Sequence, residues 1–240
     1  MKKGVLFLVL SSNRSWLMKA ESSGELKLYS YWRSSAAYRV RIALNLKGLA
    51  YQAIEVNLIG QGGEHLQDVY RRINPQALVP VLSDNGLVIS QSMAICEYLD
   101  ERYSAYPLLP ADVMQRARIR SLALQVACDI HPLNNLRVQK YLENKCGKNV
   151  DTTEWMIHWV NEGFTAIEQQ LAEQSASNSS SLLGDPGLFE CFLIPQVYNA
   201  ERYGADMTTF PFIGNIVTEC RSQDAFMSAA PENQTGTVPL

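Results

Sequence analysis

The chain has 240 residues, which is long for one domain and typical of two small ones. Apolar residues make up 47% of it and charged residues 19%, as in an ordinary globular protein with a sizeable core. A formal charge of −3, without any cluster of Lys or Arg, argues against a protein that binds nucleic acid.

Residues 1–24 precede the first regular pattern. They begin with "MKKGVLFLVL", two lysines and a short apolar run that only faintly resembles a signal peptide. Arg14 and Lys19 follow closely, no cleavage pattern is clear, and the run is far too short to cross a bilayer. We therefore interpret residues 1–24 as a poorly ordered N-terminal extension and expect no membrane partner.

A βαβ unit is predicted from residue 25 onward. "LKLYSYW" is typical of a short strand, and residues 36–47 carry apolar side chains at helical spacing. Gly48 occupies the position at which many helices end. "YQAIEVNL" alternates in polarity and predicts a second strand. Because a helix connects the two strands, they are expected to be parallel.

The remainder of the first domain, to residue 104, predicts a hairpin followed by a helix. After a Gly-rich loop and a short helix, "VPVLSDNGLVIS" forms the hairpin, which turns at Asn85-Gly86. Pro80 cannot donate to a sheet ladder, so it predicts an edge strand or a special loop with a cis bond. The helix "SQSMAICEYLDERY" completes a β-α-β-α-β-β-α order, which is the thioredoxin-like α/β arrangement.

A second, all-helical domain is predicted over residues 112–228. A Pro-bearing linker at 104–112 separates it from the first domain, and no strand pattern follows. One long helix contains "DTTEWMIHWVNEGF", in which Gly163 would allow another helix to approach closely. Residues 229–240 are predicted to be an irregular C-terminal tail.

The five cysteines are odd in number and contain no CxxC pair. This usage indicates free thiols in a reducing compartment, and hence a cytoplasmic protein. The apolar surroundings of Cys96, Cys128 and Cys191 favour core positions for those three side chains. The three histidines show no metal-ligand spacing, so no metal is expected.

Ser34 and Ser35 lie between the first strand and the first helix. Serine is a preferred N-cap, because its oxygen accepts a hydrogen bond from an unpaired N–H of the first turn. The same environment also stabilises an anion, and a thiolate placed there would have a lowered pKa. No cysteine lies in this stretch, so the thiol would belong to a bound cofactor. From the residues alone, both the cap and the thiolate site remain open.

Two further pairs have the same two interpretations. If Pro80 is cis, the backbone of Val79 lacks a sheet partner and could pair with a peptide-like ligand. Gln91 and Ser92 start the third helix, where an amide and a hydroxyl would suit a carboxylate. Arg202, after a long apolar helix, is either a surface charge or a carboxylate clamp.

Five segments, in one order, resemble the zeta-class glutathione transferases over about residues 27–226. They are "YSYWRSSAAYRVRIALNLKG", "INPQALVPVL", "ISQSMAICEYLDE", "DIHPLNNLRV" and "LIPQVYNAERYG". The resemblance implies a thioredoxin-like domain that binds glutathione, a helical domain that completes the acceptor pocket, and a homodimer. It therefore favours the glutathione site over simple helix caps.

The resemblance also assigns roles to individual residues. Ser34 and Ser35 would hold the glutathione sulfur, and Val79 beside Pro80 would pair with the tripeptide backbone. The γ-glutamyl carboxylate would bind Gln91 and Ser92, and the acceptor's carboxylates would bind Arg202. Three more positions match ligand-contacting residues of the family: His65, His131 and Asn135.

The activity implied is the glutathione-dependent cis–trans isomerisation of maleylacetoacetate, an enedione acid of tyrosine and phenylalanine breakdown. Thiolate addition, bond rotation and elimination would regenerate the glutathione. Maleylpyruvate isomerisation and general glutathione transfer are alternatives, and a non-catalytic glutathione- or ligand-binding protein is an alternative of another class.

Two departures from the family pattern stand out. Ala36 replaces a cysteine that many members carry directly after the two serines. The segment "GDPGLFECFLIPQ" has Gly187 and Glu190 where the family usually has a Ser/Thr cap and an Asp, and it is one residue short. We expect a weaker start to this helix, by about 1 kcal/mol, and an intact glutathione site.

Overall fold

The computed structural model describes residues 26–146, 150–176 and 185–236. The predicted extension at residues 1–24 lies outside the described residues. The chain divides into two compact units. The N-terminal unit runs to Tyr106 and resumes at Ala225, and the helical unit comprises Pro107–Asp224.

The N-terminal unit has the predicted β-α-β-α-β-β-α order around a four-stranded sheet. Its strands are β1 (Leu26–Ser30), β2 (Tyr51–Glu55), β3 (Val81–Asp84) and β4 (Leu87–Ser90). Its helices are α1 (Ser35–Leu46), α2 (Asp68–Arg71) and α3 (Ser92–Arg102). The strand order is β2-β1-β3-β4, with β1 and β2 parallel, as predicted, and the other pairs antiparallel.

Local turn chemistry explains where these elements end. α1 stops before Gly48, whose φ of 63° is a left-handed conformation that glycine adopts without steric cost. The hairpin between β3 and β4 turns at Asn85 and Gly86, both with positive φ, as a tight two-residue turn requires. A buried apolar cluster of this unit includes Tyr31, Val56 and Val79, and the side chain of Trp32 packs against it.

The helical unit contains helices only, among its described residues, and this prediction is confirmed. They are α4 (Val113–Leu124), a π-helical segment Gln125–Ile130, α5 (Leu136–Cys146), α6 (Thr152–Ala176), α7 (Leu188–Arg202) and α8 (Pro211–Arg221). Gly163 of α6 faces Ile130 so closely that a Cβ would lie 2.3 Å from its Cγ1. The predicted close approach at this glycine is therefore confirmed.

The C-terminal segment differs from its predicted organisation. The last helix, α9 (Asp224–Ala229), and the turn Pro231–Asn233 replace much of the irregular tail. From Ala225 onward the chain groups with the N-terminal unit, so the helical domain ends before the expected residue 228. Arg41 Nε donates to the Ala229 carbonyl at 2.9 Å, and Asn45 Nδ2 donates to the Ala225 carbonyl at 2.9 Å. These two hydrogen bonds attach the segment to α1.

The cysteines at positions 96, 128, 191 and 220 are free thiols, as predicted. Cys96, Cys191 and Cys220 are buried, whereas Cys128 is exposed. The prediction of a core position for Cys128 is wrong, because its place in the π-helical segment directs it away from buried Val126 and Ile130. No helix in the described ranges has the length and apolar character needed to span a membrane.

Candidate active site

The register of the sheet brings three predicted segments of the site to one end. Val81 of β3 pairs with Tyr29 of β1 and with Ser90 of β4. β1 leads into α1 at this end, β3 is preceded by Pro80, and β4 leads into α3. The start of α1, the peptide before β3 and the start of α3 therefore lie side by side.

Ser34 and Ser35 occupy different positions at the start of α1. Ser34 is the N-cap, and its hydroxyl oxygen accepts a hydrogen bond from the Ala37 N–H at 3.2 Å. Ser35 is the first helical residue, and its hydroxyl makes no hydrogen bond within the described chain. Both side chains are half-buried, and the first turn contains no acidic residue. Each hydroxyl keeps a proton that it could donate to an anion.

A buried arginine holds the loop that presents these serines. Arg41 is 1% exposed, and its guanidinium donates to the Trp32 carbonyl at 3.0 Å and to Ser30 Oγ at 3.2 Å. The Ser34 N–H donates to the Tyr31 carbonyl at 3.0 Å and closes the turn. The loop is thus fixed from both sides, which pre-organises the N-terminus of α1.

The Val79–Pro80 peptide bond is cis, as the sequence analysis allowed. Among the described residues, neither the N–H nor the C=O of Val79 has a hydrogen-bond partner. The preceding carbonyl of Leu78 accepts from Tyr70 Oη and Asn74 Nδ2, each at 2.8 Å. Burial raises the pKa of the Tyr70 hydroxyl, so it stays protonated as a donor. These bonds fix the loop so that the backbone of Val79 can pair with an extended ligand.

The start of α3 is a helix N-terminus that no side chain caps. Gln91 precedes it with a φ of 74°, a left-handed conformation that typically costs about 1–3 kcal/mol in a non-glycine residue. Its exposed amide donates to Gln76 Oε1 at 2.9 Å. Ser92 is buried and accepts from Arg39 Nη1 at 3.2 Å. The first turn of α3 has no acidic residue, so its N–H groups suit a carboxylate.

His65 lies in a turn of the same unit, apart from these three segments in sequence. The turn Glu64–Leu66 follows Gly63, whose φ is 89°. A Cβ at Gly63 would lie 2.5 Å from His65 Cε1, so this glycine gives the imidazole room to fold back over the loop.

The helical unit carries His131, Asn135 and Arg202. His131 ends the π-helical segment and begins the turn that leads to α5. Asn135 accepts from the Arg137 N–H at 3.1 Å and so caps α5. Arg202 ends α7 as an exposed side chain, where its Nη2 donates to Asn199 Oδ1 at 3.2 Å and its guanidinium lies 4.5 Å from the Tyr203 ring centroid.

A hydrogen-bond chain joins the sequence neighbours of these helical-unit residues. Tyr203 Oη donates to Gln139 Oε1 at 3.3 Å, and Gln139 Nε2 donates to the Asn134 carbonyl at 3.0 Å. The turn with His131 and Asn135 is therefore tied to the residue next to Arg202.

Two buried cations of α1, Arg39 and Arg41, were not among the site residues predicted from the sequence. A signal was present: residues two apart on a helix point to nearly opposite sides. Two arginines at this spacing cannot both face solvent when one side of the helix packs on a sheet. Their positive charges, the N-terminus of α1 and the uncapped N-terminus of α3 make this end of the N-terminal unit favourable to anions.

The sequence of this chain is similar to that of known proteins over both units. The family model of the glutathione S-transferase N-terminal domain matches residues 28–107. A probable maleylacetoacetate isomerase of Vibrio cholerae is 46% identical over 214 residues, which cover 87% of this chain and 97% of the relative.

Two solved structures are similar over most of their length. A holo maleylpyruvate isomerase, a bacterial glutathione S-transferase of the zeta class, is 42% identical with a TM-score of 0.83, covering 88% of this chain and all of that one. A maleylacetoacetate isomerase of Anaeromyxobacter dehalogenans with GSH in its active site is 38% identical with a TM-score of 0.77. That match covers 89% of this chain and 98% of the relative.

Proposed function

The chain belongs to the zeta class of glutathione transferases, and from this premise we propose that it isomerises maleylacetoacetate to fumarylacetoacetate with glutathione as cofactor. The class has the fold found here, a thioredoxin-like unit and a helical unit. The name of the Vibrio relative and the GSH-bound Anaeromyxobacter structure support the activity and the cofactor.

Three features of the N-terminal unit fit glutathione. The tripeptide has a thiol, a peptide backbone and a γ-glutamyl carboxylate. The start of α1 offers hydroxyl donors for a thiolate, and the start of α3 offers uncapped N–H groups for a carboxylate. Between them, Val79 offers a backbone N–H and C=O that have no partner among the described residues. These three features lie at one end of the sheet because the register aligns them.

When bound, glutathione supplies a thiolate that adds to the cis double bond, allows rotation about it and then leaves. Ser34 and Ser35 would donate hydrogen bonds to the sulfur and stabilise its ionised form. Arg202 would hold the acceptor's carboxylate end while the other end turns. His65, His131 and Asn135 would contribute further ligand contacts.

The observation that carries this proposal is the pair of uncapped or donor-bearing helix starts on either side of the cis-Pro80 loop. One helix start alone would be an ordinary cap. The two helix N-termini, together with the backbone of Val79, which lacks a partner among the described residues, complement the donors and acceptors of a thiol tripeptide that carries a carboxylate.

The name of the similar holo structure favours a second candidate, maleylpyruvate isomerisation. The decisive experiment compares kcat/KM for maleylacetoacetate and maleylpyruvate, each with glutathione, by the loss of substrate absorbance. We expect the larger value for maleylacetoacetate. A larger value for maleylpyruvate would identify that acid as the preferred substrate. Conjugation of glutathione without isomerisation would indicate a general transferase. Binding of glutathione without turnover of either acid would indicate a non-catalytic binding protein.

We also propose a cytoplasmic homodimer that acts in tyrosine and phenylalanine breakdown. The four free thiols found at positions 96, 128, 191 and 220 of the described chain support a reducing compartment. Val113 and Met114 at the start of α4 are 77% and 68% exposed, which supports an apolar contact with a second copy. Light scattering would give the mass of a dimer, and the mass of one chain would contradict this proposal.

A further inference from the structure

Arg39 lies within α1 and is buried almost completely, at 2% exposure. Its Nη1 donates to Ser92 Oγ across 3.2 Å, and this buried hydrogen bond joins α1 to the first residue of α3. Ser92 is only 6% exposed. A cation is thus placed directly behind the helix start that would take the γ-glutamyl carboxylate.

This hydrogen bond determines what Ser92 can do. A guanidinium has donors only, so the serine oxygen must be the acceptor. The Ser92 proton cannot point toward Arg39 and is available for a second acceptor. A hydroxyl that accepts from a cation is polarised and becomes a better donor. Arg39 therefore makes Ser92 a pre-oriented donor.

The charge of Arg39 also acts on the first turns of α3. Cys96 lies one turn after Ser92 on the same face of the helix. Burial raises the pKa of the Cys96 thiol to about 12, and the positive charge of Arg39 acts in the opposite direction. An anion at this helix start would experience the same charge, together with the helix dipole.

We propose that Arg39 is a positioning residue for glutathione, which orients the Ser92 hydroxyl toward the γ-glutamyl α-carboxylate and adds positive charge behind it. This inference rests on the proposed function, because it takes glutathione as the ligand. It concerns one carboxylate of that ligand. It therefore predicts a selective loss of affinity for ligands that carry this carboxylate, which a general loss of folding would not produce.

The test uses two tripeptides and calorimetric binding. Glutathione carries the carboxylate, and γ-aminobutyryl-Cys-Gly lacks that group but keeps the neighbouring amine. We expect Arg39→Met to weaken glutathione binding about tenfold and binding of the analogue less than about twofold. Equal weakening of both tripeptides would overturn the inference, because it would indicate a purely structural role.

Arg41→Met is the matched control. Arg41 is the other buried arginine of α1, and it donates to backbone carbonyls and to Ser30 rather than to Ser92. Its loss should weaken both tripeptides by the same factor. A selective loss in this control, as large as in Arg39→Met, would also overturn the assignment to Arg39.

A second measurement applies if Arg39→Met does not fold. Arg39→Lys keeps the charge, and it is compared in the native and Ser92→Ala backgrounds. We expect it to lower the preference for glutathione over the analogue about threefold in the native background. In the Ser92→Ala background, where the hydroxyl acceptor is missing, we expect no change in that preference. Equal effects in the two backgrounds would overturn the inference.

The native protein separates the two proposals. Failure to bind glutathione contradicts the proposed function, and with it the inference that rests on it. Binding of glutathione without any preference over the analogue contradicts the carboxylate site at the start of α3 and the role of Arg39, but not the isomerase activity.

Discussion

The hydroxyl oxygen of Ser34 accepts the Ala37 N–H at 3.2 Å, and this one bond gives the serine two separable roles. As an N-cap it stabilises α1. Because its oxygen is oriented by that bond, its proton has a defined direction in which to meet a thiolate. Ser35 has no such bond in the described part of the chain and therefore lacks the first role.

Ser34→Ala should change both stability and thiol ionisation. We expect a loss of about 1 kcal/mol in the free energy of unfolding and a rise of about one unit in the pKa of the bound glutathione thiol. Chemical denaturation and the ultraviolet absorbance of the thiolate measure the two effects. Ser35→Ala is the matched variant, and it should leave the free energy of unfolding nearly unchanged. An unchanged thiol pKa in both variants would contradict a role of either serine in stabilising the thiolate.

Arg202→Ala should affect the acceptor and spare glutathione. Its side chain is exposed at the end of α7, so its removal should change stability by less than about 0.5 kcal/mol. We expect the acceptor KM to rise about tenfold, while the Kd for glutathione stays within about twofold. Arg221→Ala is the control, since Arg221 is partly exposed and paired with Glu201. An unchanged acceptor KM in Arg202→Ala would refute the assigned role.

The start of α7 leads to a prediction opposite to the general capping rule. Gly187 is the N-cap, and Glu190 Oε2 accepts its N–H at 2.7 Å, so only half of the reciprocal capping box exists. A Cβ at Gly187 would lie 2.5 Å from the Leu108 carbonyl oxygen. We expect Gly187→Ser to destabilise the protein by about 1–3 kcal/mol instead of supplying a cap.

Thermal or chemical unfolding of Gly187→Ser measures this effect, with Gly214→Ala as the control. Gly214 lies within α8, and a Cβ there would meet nothing within 4 Å. The control should therefore gain up to about 1 kcal/mol. A more stable Gly187→Ser would mean that the Leu108 loop moves aside to admit the serine.

Glu190 should make stability depend on pH. Burial raises the pKa of its carboxyl, an effect that the Gly187 N–H partly offsets. The folded protein therefore holds this proton to higher pH than the unfolded chain does. The stabilising contribution is fully present below the unfolded pKa and is lost as pH rises through the folded pKa.

Glu190→Gln removes this titration and keeps an oxygen that can accept from Gly187. We expect the variant to gain stability relative to the native protein as pH rises above about 4.5, the region where an ordinary Glu ionises. Unfolding measured at several pH values checks the slope, and exposed Glu143→Gln serves as the control. A difference between Glu190→Gln and the native protein that does not vary with pH would contradict the expectation.

Local chemistry made much of the fold predictable. Gly48 and the Asn85-Gly86 turn are short-range signals, and the structure places all three at positive φ. The candidate residues before helices were predictable for the same reason, because caps and anion sites share residue types. The cis bond before Pro80 could be predicted as one of two alternatives, because cis peptide bonds occur almost exclusively before proline.

Contacts distant in sequence could not be predicted. The carbonyl of Ala229 accepts from Arg41 across 188 positions, and a backbone carbonyl has no residue-specific signal. The hydrogen bond from Arg39 to Ser92 spans 53 positions and depends on how α1 packs beside α3. The exposure of Cys128 depends on the π-helical segment Gln125–Ile130, in which side chains point in different directions from those of a regular α-helix.

The most direct test of the central claim is the pH titration of the thiolate absorbance of glutathione bound to the native protein. A cysteine thiol in water ionises near pH ~8.5. We expect the bound thiol to ionise at least about one unit lower, because the start of α1 and its serine hydroxyls favour the anion. A bound thiol that ionises at the same pH as free glutathione would contradict the assignment of this helix start as the thiolate site.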